Sequence, residues 1–414
     1  MSPAPGTRAP LDTVRLHWLL RGANRVGRLL APLGLRPSLD AAAIEARARK
    51  LSGLDDFGDP GYRDGLERLC AELDTRAGLH LAGRLSARDH LVRGLGNRLG
   101  FTDARRRDPS IATAPLIPPL VVVGLPRSGT TFLHRVLCHA PDALPPVTWQ
   151  LLAPLPPATG PDRRRAQGAK TIGDIRRAAP GIDAKHYLDH EQPEECMMLL
   201  DASMASLTYG LLFPVPDYIA WLFEHDATDD YRYWRDGLVH LQRGAPDRRL
   251  TLKAPVHTAF IDAIWHHVPD ALIIHPHRDP AAVVGSLCSL FFTFHSLVVD
   301  AVDRDALGAS MLAMCERMMQ RNLDARAKHP DKVIVDVRYR TLMADPVGTV
   351  LSLYERHGLP VTPALEAAIA DGIARRPQHA HGRHDYALED FGLTAAGVRA
   401  RLDPLVAPFL RDAA

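Results

Sequence analysis

The feature that most constrains this chain is an apolar run that ends in a glycine-rich turn. Residues 120–123 are Leu-Val-Val-Val, Gly124 and Gly129 enclose four residues, and Thr130 opens an apolar, helix-like segment. This spacing is typical of a phosphate-binding loop between a strand and a helix, because the glycines let backbone N–H groups turn inward at the helix N-terminus. Thr130 stands where such loops usually carry lysine. Arg127 lies inside the loop as a forked cation suited to phosphate or sulfate.

Three later apolar runs are typical of strands and alternate with helix-like segments. They cover residues 249–253, 271–275 and 332–337. Strands that alternate with helices favour a parallel sheet, whose ligands lie beyond the carboxyl ends of the strands. The sequence therefore predicts an α/β protein of the P-loop type, with three α/β/α layers and a central parallel sheet. We expect residues 1–110 to be a helical N-terminal region and residues 111–414 to be the P-loop domain.

Charge and cysteine content argue against several classes of protein. The 414 residues carry a formal net charge of only +2, which gives no case for a nucleic-acid binder. The five cysteines contain no C-x-x-C pair, which favours reduced thiols over a disulfide framework. Nothing resembles a signal peptide or a bilayer-spanning run, so we expect a cytoplasmic protein.

A second motif follows directly on a predicted strand. Arg278 is followed by Asp279 and Pro280, and Ser286 lies about two turns into the next predicted helix. An arginine at a strand end and a serine on the following helix can converge on one phosphate. The alternative is an Arg–Asp surface pair with an unrelated helix serine.

Together the two motifs resemble those of the sulfotransferase superfamily, and the agreement with bacterial members extends from about Asp56 onward. The further segments that resemble family blocks are 56–59, 193–196, 252–257, 339–346 and 381–393. The family uses 3′-phosphoadenosine 5′-phosphosulfate (PAPS) as its donor. The resemblance therefore implies in-line transfer of a sulfuryl group from PAPS to a hydroxyl or amine of a small acceptor, without a metal.

The resemblance implies a role for the first motif and for one strand lysine. The 5′-phosphosulfate would be cradled by Arg127, Ser128, Gly129, Thr130 and Thr131. Lys253 matches the family lysine that neutralises charge at the leaving oxygen, and Arg127 would share that task.

The resemblance also implies how the adenosine end of the donor is held. Arg278 and Ser286 would bind the 3′-phosphate, and Tyr339 would contact the adenine. Arg383 and His384 would close over the cofactor.

The general base is the part that the resemblance leaves open. Many animal cytosolic members carry Lys-x-His on this strand, but here Pro255 follows Lys253 at that spacing. Another branch uses a glutamate after the loop helix, and here residues 148–150 contain no carboxylate. A base has to reach the acceptor proton and to have a pKa suited to working pH. The remaining candidates are His257, His186, Glu194 and Glu195.

Three other functions stay open at this point. Residues 333–336 resemble an apolar strand that ends in a magnesium-holding aspartate, Asp336, as in a P-loop kinase. Histidines cluster at 266–277 and at 379–384, but neither cluster has a helical i, i+4 pair backed by a carboxylate base, so we expect no metal. A nucleotide-binding module without transfer activity is the third alternative.

Residues 11–35 contain a basic helix whose role the sequence leaves open. Arg21, Arg25 and Arg28 share one face, and the opposite side is apolar. The pattern favours a helix packed on the domain through its apolar side. Peripheral contact with a membrane surface is the alternative.

The acceptor is indicated only by composition. Residues 196–223 are rich in Met, Leu and aromatic side chains, and Phe291-Phe-Thr-Phe294 adds more. These segments favour an apolar, lipid-like alcohol as acceptor, although ordinary core helices explain them equally well. No oligomeric state follows from the sequence.

Overall fold

A five-stranded parallel sheet forms the centre of the computed structural model, which describes residues 11, 14–157, 159–375 and 387–410. The strands are β1 (Leu120–Val122), β2 (Ala143–Leu144), β3 (Arg249–Lys253), β4 (Leu272–His277) and β5 (Ile334–Arg338). Their order is β2-β3-β1-β4-β5 and every pairing is parallel. The predicted central parallel sheet is therefore confirmed.

Helices cover both faces of the sheet and make up the N-terminal region. In chain order, α1 to α18 are Trp18–Leu30, Ala41–Ser52, Tyr62–Thr75, Leu81–Arg107, Thr130–Leu137, Thr148–Leu152, Arg164–Ala178, Ile182–Lys185, Leu207–Leu212, Pro216–Glu224, Tyr231–Arg243, Ile261–His267, Pro280–His295, Arg304–Lys328, Tyr339–Ala344, Pro346–Arg356, Pro363–Arg375 and Ala395–Leu410. Short 3₁₀ helices are Ala31–Leu33, Pro109–Ala112, Cys196–Ser203, Pro255–Ala259 and Leu388–Phe391.

The three layers follow from the alternation of side chains along β1. Val121 points into a core shared with α11, α13, α14 and α18. Leu120 and Val122 point the other way, into a core shared with α5, α16 and α17. Because β1 is buried on both faces, its sequence is a continuous apolar run and not an alternating one. The α/β/α arrangement is confirmed.

Four helices, α1 to α4, occupy most of residues 18–107. Helices α2 to α4 share a hydrophobic cluster with Tyr209 of α9 and Tyr218 of α10. The segment 56–59 has a structural role, because buried Arg98 donates hydrogen bonds to the carbonyl oxygens of Phe57 (2.7 Å) and Asp59. A domain boundary near residue 110 stays a prediction.

Helix α1 packs on the domain, as the pattern favoured, but most of the apolar side named from the sequence faces outward. Leu19, Val26 and Leu30 are exposed. The helix instead lies on α4 through a polar and a small residue. Asn24 Oδ1 accepts a hydrogen bond from Ala82 N (2.9 Å), and a Cβ at Gly27 would lie 2.7 Å from Leu81 Cβ. Among the described residues, no helix has the length and apolarity needed to cross a membrane.

Candidate functional site

The loop after β1 has the backbone of a phosphate-binding loop. Gly124 (φ 114°) and Gly129 (φ 100°) adopt left-handed conformations that favour glycine, and Arg127 does so as well (φ 70°). A Cβ at Gly129 would lie 2.8 Å from the ring of Tyr339, so the loop packs closely there. Helix α5 begins at Thr130, so the free N–H groups of its first turn lie at the loop.

The two predicted anion-binding motifs meet in space. Arg127 Nε donates a hydrogen bond to Ser286 Oγ at 2.9 Å, although the two residues are 159 positions apart. Arg278 Nη1 donates to the backbone oxygen of Arg127 at 3.1 Å, and its guanidinium lies 4.5 Å from the centre of the Tyr339 ring. Two guanidinium groups, a hydroxyl group and an aromatic face therefore surround one end of the loop.

This set of residues fits a phosphate-bearing nucleotide. The buried Ser128 Oγ has no hydrogen-bond partner in the described part of the protein, which is unusual for a buried hydroxyl. A helix N-terminus, the two arginines and this hydroxyl supply donors and positive charge to the same place. An anion with several oxygens would satisfy them, and Tyr339 offers a stacking surface beside it.

A buried lysine lies next to the loop with a pair of carboxylates. Lys253, only 3% exposed, ends β3 and is in register with Val122 of β1. Its Nζ donates to Glu195 Oε1 at 2.6 Å and lies 4.0 Å from Glu194 Oε1. A buried ammonium group needs such partners, because desolvation alone would strongly disfavour its charge. Glu195 therefore fixes the position of Lys253.

Glu194 and the neighbouring His186 differ in their charge near neutral pH. Burial acts to raise the pKa of Glu194, but the charge of Lys253 outweighs it and holds this pKa below the usual range of a glutamate. Burial lowers the pKa of His186, against the opposing charges of Glu194 and Glu195. Near neutral pH the site therefore combines an ionised Glu194 with a neutral His186.

His257 does not belong to this group. It is fully buried in the core, where Tyr231 Oη lies 2.6 Å from Nδ1 and Cys196 Sγ lies 3.2 Å from Nε2. Burial lowers its pKa to about 3. With both ring nitrogens engaged inside the core, His257 is not placed to take a proton from an acceptor. Arg383 and His384 lie outside the described residues.

An apolar cavity of about 610 Å³ opens at the carboxylates. His186, Glu194 and Glu195 form a polar part of its lining, beside Pro126 of the loop. The remaining wall is mainly apolar and comes from several helices, for example Leu16, Leu20, Ile172, Leu211, Leu287 and Phe294. The cavity thus joins a lipid-compatible space to the residues around Lys253.

The aspartate that suggested a kinase is engaged elsewhere. Arg326 donates to both carboxylate oxygens of Asp336, at 3.0 and 2.6 Å, and His277 Nε2 lies 2.7 Å from one of them. His275, His277 and Asp336 do bring possible metal ligands within 4.8 Å of one another. Since the Arg326 guanidinium contacts both Asp336 and His275, a metal ion would have to displace a cation. The magnesium and metalloenzyme interpretations gain no support from this arrangement.

Among the described histidines, His266 and His267 do not extend this group of possible metal ligands. His267 Nε2 lies 2.7 Å from the carbonyl oxygen of Thr228, and its ring packs edge-on against His266. The histidines at 379–384 lie outside the described residues.

Two contributions to the site were not predicted from sequence. Thr258 Oγ1 accepts the N–H of Gly124 at 2.6 Å and so supports the loop from the segment after β3. The segment before α1 and its first turn supply Leu16 and Leu20 to the cavity. The i, i+4 spacing of these two leucines is a signal for a buried contact, whereas nothing in the sequence marks Thr258.

Comparison with known proteins agrees with this geometry. The model of the sulfotransferase family matches residues 118–363. The chain is 27% identical over 271 residues to omega-hydroxy-beta-dihydromenaquinone-9 sulfotransferase Stf3 of Mycobacterium bovis and of Mycobacterium tuberculosis, which covers 61% of this chain and 67% of each relative.

Two crystal structures have the same fold. Sulfotransferase STF1 from Mycobacterium tuberculosis H37Rv aligns with a TM-score of 0.78 and 30% identity over 89% of this chain and all of that one. Sulfotransferase STF9 from Mycobacterium avium aligns with a TM-score of 0.79 and 28% identity over 89% and 97% of the two chains. The matched segment of the family model contains the loop, Lys253, Arg278 and Ser286. The chain belongs to the sulfotransferase family.

Proposed function

We propose that this protein transfers a sulfuryl group from PAPS to a hydroxyl of an apolar, lipid-like acceptor. The observation that carries the proposal is the junction between the loop and the cavity. The apolar space ends at Glu194 and Glu195, and Glu195 holds Lys253 beside the loop strand. An acceptor in the cavity and a donor on the loop would therefore meet at these residues.

The donor would lie along the loop and the arginines. The N-terminus of α5, Ser128 and Arg127 would hold the 5′-phosphosulfate, while Arg278 and Ser286 would hold the 3′-phosphate and Tyr339 the adenine. Arg127 bridges the two groups, since its side chain contacts Ser286 and its carbonyl oxygen contacts Arg278.

The chemistry requires positioning and charge compensation more than covalent catalysis. The acceptor oxygen forms a bond to sulfur as the bond from sulfur to the 5′-phosphate oxygen breaks. Lys253 and Arg127 stabilise the negative charge on that leaving oxygen. Glu194 takes the acceptor proton, because it is ionised near neutral pH and Glu195 is engaged with Lys253.

The relatives support a lipid-like acceptor. Stf3 is named for a menaquinone derivative, and the apolar cavity of this chain would accept a long apolar molecule. The composition of residues 196–223 and 291–294 favoured such an acceptor. These two segments contribute Met197, Leu211 and Phe294 to the wall of the cavity.

Calorimetric titration tests the donor. Adenosine 3′,5′-bisphosphate, the product of PAPS, should bind at micromolar concentration, and Arg278→Ala should weaken it at least about tenfold through loss of a charge-assisted contact. Arg356→Ala, an exposed arginine on α16, is the control and should bind normally. Stronger binding of magnesium–ATP than of the bisphosphate would contradict the proposal and favour a kinase.

Primary alcohols of increasing chain length test the acceptor with PAPS as donor. Each added methylene buried in the cavity should raise kcat/KM by roughly fourfold, corresponding to about 0.8 kcal/mol, until the cavity is filled. Rates that do not depend on chain length would show that the cavity does not hold the acceptor.

A further inference from the structure

The outer surface of α1 carries an unusual stripe of large apolar side chains. The outer stripe consists of Trp18, Leu19, Val26, Leu29 and Leu30, all exposed, with Trp18 at 65% and Leu29 at 77%. Leu33 and Leu35 continue it beyond the helix and are also exposed. Most other helices of the described chain turn their large apolar residues inward, so this surface is apolar where water would favour polar groups.

The orientation of α1 is fixed by specific contacts. Asn24 is buried and its side chain accepts the N–H of Ala82, while Gly27 packs against Leu81. Rotating the helix to bury the outer stripe would break this hydrogen bond and bring bulkier side chains against α4. The exposure of the stripe therefore follows from how α1 fits on α4.

A cluster of arginines lies beside the stripe. A cleft of about 490 Å³ between α1 and residues 296–304 is lined by Arg15, Arg21, Arg25, Arg28 and Arg304. Asp300 is the one acidic residue among its described lining, and it pairs with Arg28 at 3.0 Å. At 100° per residue, Arg21 and Arg25 project next to Trp18 and Leu29. With a net charge of only +2 for the whole chain, this excess of positive charge is local.

The stripe also lies close to the acceptor cavity. Leu16 and Leu20, from the chain entering α1 and from its first turn, form part of the cavity wall. The same helix thus carries the outer stripe on one side and closes an apolar cavity on the other. An apolar acceptor dissolved in a bilayer at the outer stripe would be separated from the cavity by about the width of one helix, an argument that rests on the proposed function.

We propose that α1 docks this protein on an anionic membrane surface, with the outer stripe inserted among acyl chains and the arginine cleft contacting lipid headgroups. An exposed apolar face flanked by arginines is the arrangement by which helices lie in the interface plane. Each arginine near an anionic bilayer adds attraction, and long side chains reach the headgroups while their stems stay among apolar groups. A second copy of this chain fits less well, because the arginine clusters of two copies would repel each other.

Vesicle co-sedimentation tests the proposal without any sulfotransfer. The full chain should sediment with phosphatidylglycerol vesicles and much less with phosphatidylcholine vesicles, and added salt should weaken the binding. Trp18→Glu/Leu29→Glu and, separately, Arg21→Glu/Arg25→Glu should each lower the partition coefficient at least about tenfold. Both pairs are exposed, so the fold should be retained, as circular dichroism would verify.

Two control variants each carry one substitution of the same kind, an exposed apolar residue or an exposed arginine replaced by glutamate, away from α1. Val333, 58% exposed, precedes β5 at the amino end of the sheet, and Arg356 is an exposed arginine of α16. Val333→Glu and Arg356→Glu should bind vesicles like the unchanged protein. The proposal would be overturned if the controls lost as much vesicle binding as the α1 variants. It would also be overturned if the unchanged protein did not bind anionic vesicles.

Light scattering without vesicles distinguishes membrane docking from self-association. The unchanged chain and Trp18→Glu/Leu29→Glu should have the same mass. A dimer that becomes a monomer in this variant would identify the stripe as an interface between copies and overturn membrane docking. Because none of these measurements involves a donor or an acceptor, a failure of the proposed sulfotransfer would be seen separately, in the titration and turnover experiments.

Discussion

At the residue scale, the sequence indicates the anion-binding groups better than the proton-transfer groups. Arg127 and Arg278 follow strands, and Ser286 lies eight residues beyond Arg278 on the next helix, so local pattern is enough to expect that they converge, and the structure brings them together. The contact between Lys253 and Glu195 joins residues 58 positions apart and depends on how a 3₁₀ turn lies over the sheet. No local pattern encodes that placement, and histidine identity alone does not distinguish the buried His257 from His186 at the cavity.

Replacement of Glu194 tests the assignment of the base. Glu194→Gln should lower kcat by roughly 10²- to 10⁴-fold and leave binding of adenosine 3′,5′-bisphosphate unchanged, because the amide keeps the shape of the side chain but accepts no proton. Since the pKa of Glu194 lies below the usual range of a glutamate, kcat/KM of the unchanged enzyme should be flat between about pH 6.5 and 8. Full activity of Glu194→Gln, together with inactivity of His186→Asn, would assign the proton transfer to His186 instead.

At the element scale, α1 shows how a correct helix prediction can still give the wrong contact. Periodicity identifies an apolar side, but it does not say whether that side meets the protein. Here the contact is decided by Gly27, whose missing side chain allows close approach to Leu81, and by the hydrogen bond from Ala82 to Asn24. Such steric fit depends on α4, which the sequence of α1 does not contain.

Two glycines of α1 provide a matched test of this contact between α1 and α4. Gly27→Ala should destabilise α1, because its Cβ would lie 2.7 Å from Leu81 Cβ, whereas Gly22 has no neighbour within 4 Å. Gly22→Ala should therefore stabilise the helix by about 0.5–1 kcal/mol. Limited proteolysis near residue 30 should become faster in the first variant and slower in the second. Equal rates in both variants would show that α1 is not seated through Gly27.

At the scale of the whole molecule, the layers were predictable but the sheet order was not. Apolar runs separated by helices predict a parallel sheet, and the three runs named from sequence became β3, β4 and β5. The edge strand β2 has only two residues, Ala143–Leu144, which is too short for any periodic signal. The order β2-β3-β1-β4-β5 depends on pairings between strands that are far apart in the chain, such as β1 with β3 and with β4.

Buried histidines predict how the stability of the whole molecule depends on pH. Burial lowers the pKa of five histidines from the ordinary value of 6.5. These are His90, His134, His257, His275 and His295. Below about pH 6.5 the unfolded chain binds more protons than the folded one, so the free energy of unfolding should fall as the pH drops from 6.5 towards 4.

Urea unfolding followed by circular dichroism measures this effect. The midpoint concentration should be nearly the same at pH 7 and pH 8 and should decrease clearly at pH 6 and pH 5.5. An unchanged midpoint at pH 5.5 would mean that these histidines are protonated in the folded protein.

Because the backbone at Arg127 is left-handed, the residue that would be most stable at this position is not the residue that the donor site needs. An arginine at φ 70° costs the folded protein roughly 1–2 kcal/mol that glycine would not. A selection for thermal resistance alone would therefore favour glycine or asparagine here and discard the guanidinium that contacts Ser286, although the backbone oxygen that accepts from Arg278 would remain. Variants of this chain chosen only for robustness should lose the donor site first, at the one loop residue whose conformation opposes its side chain.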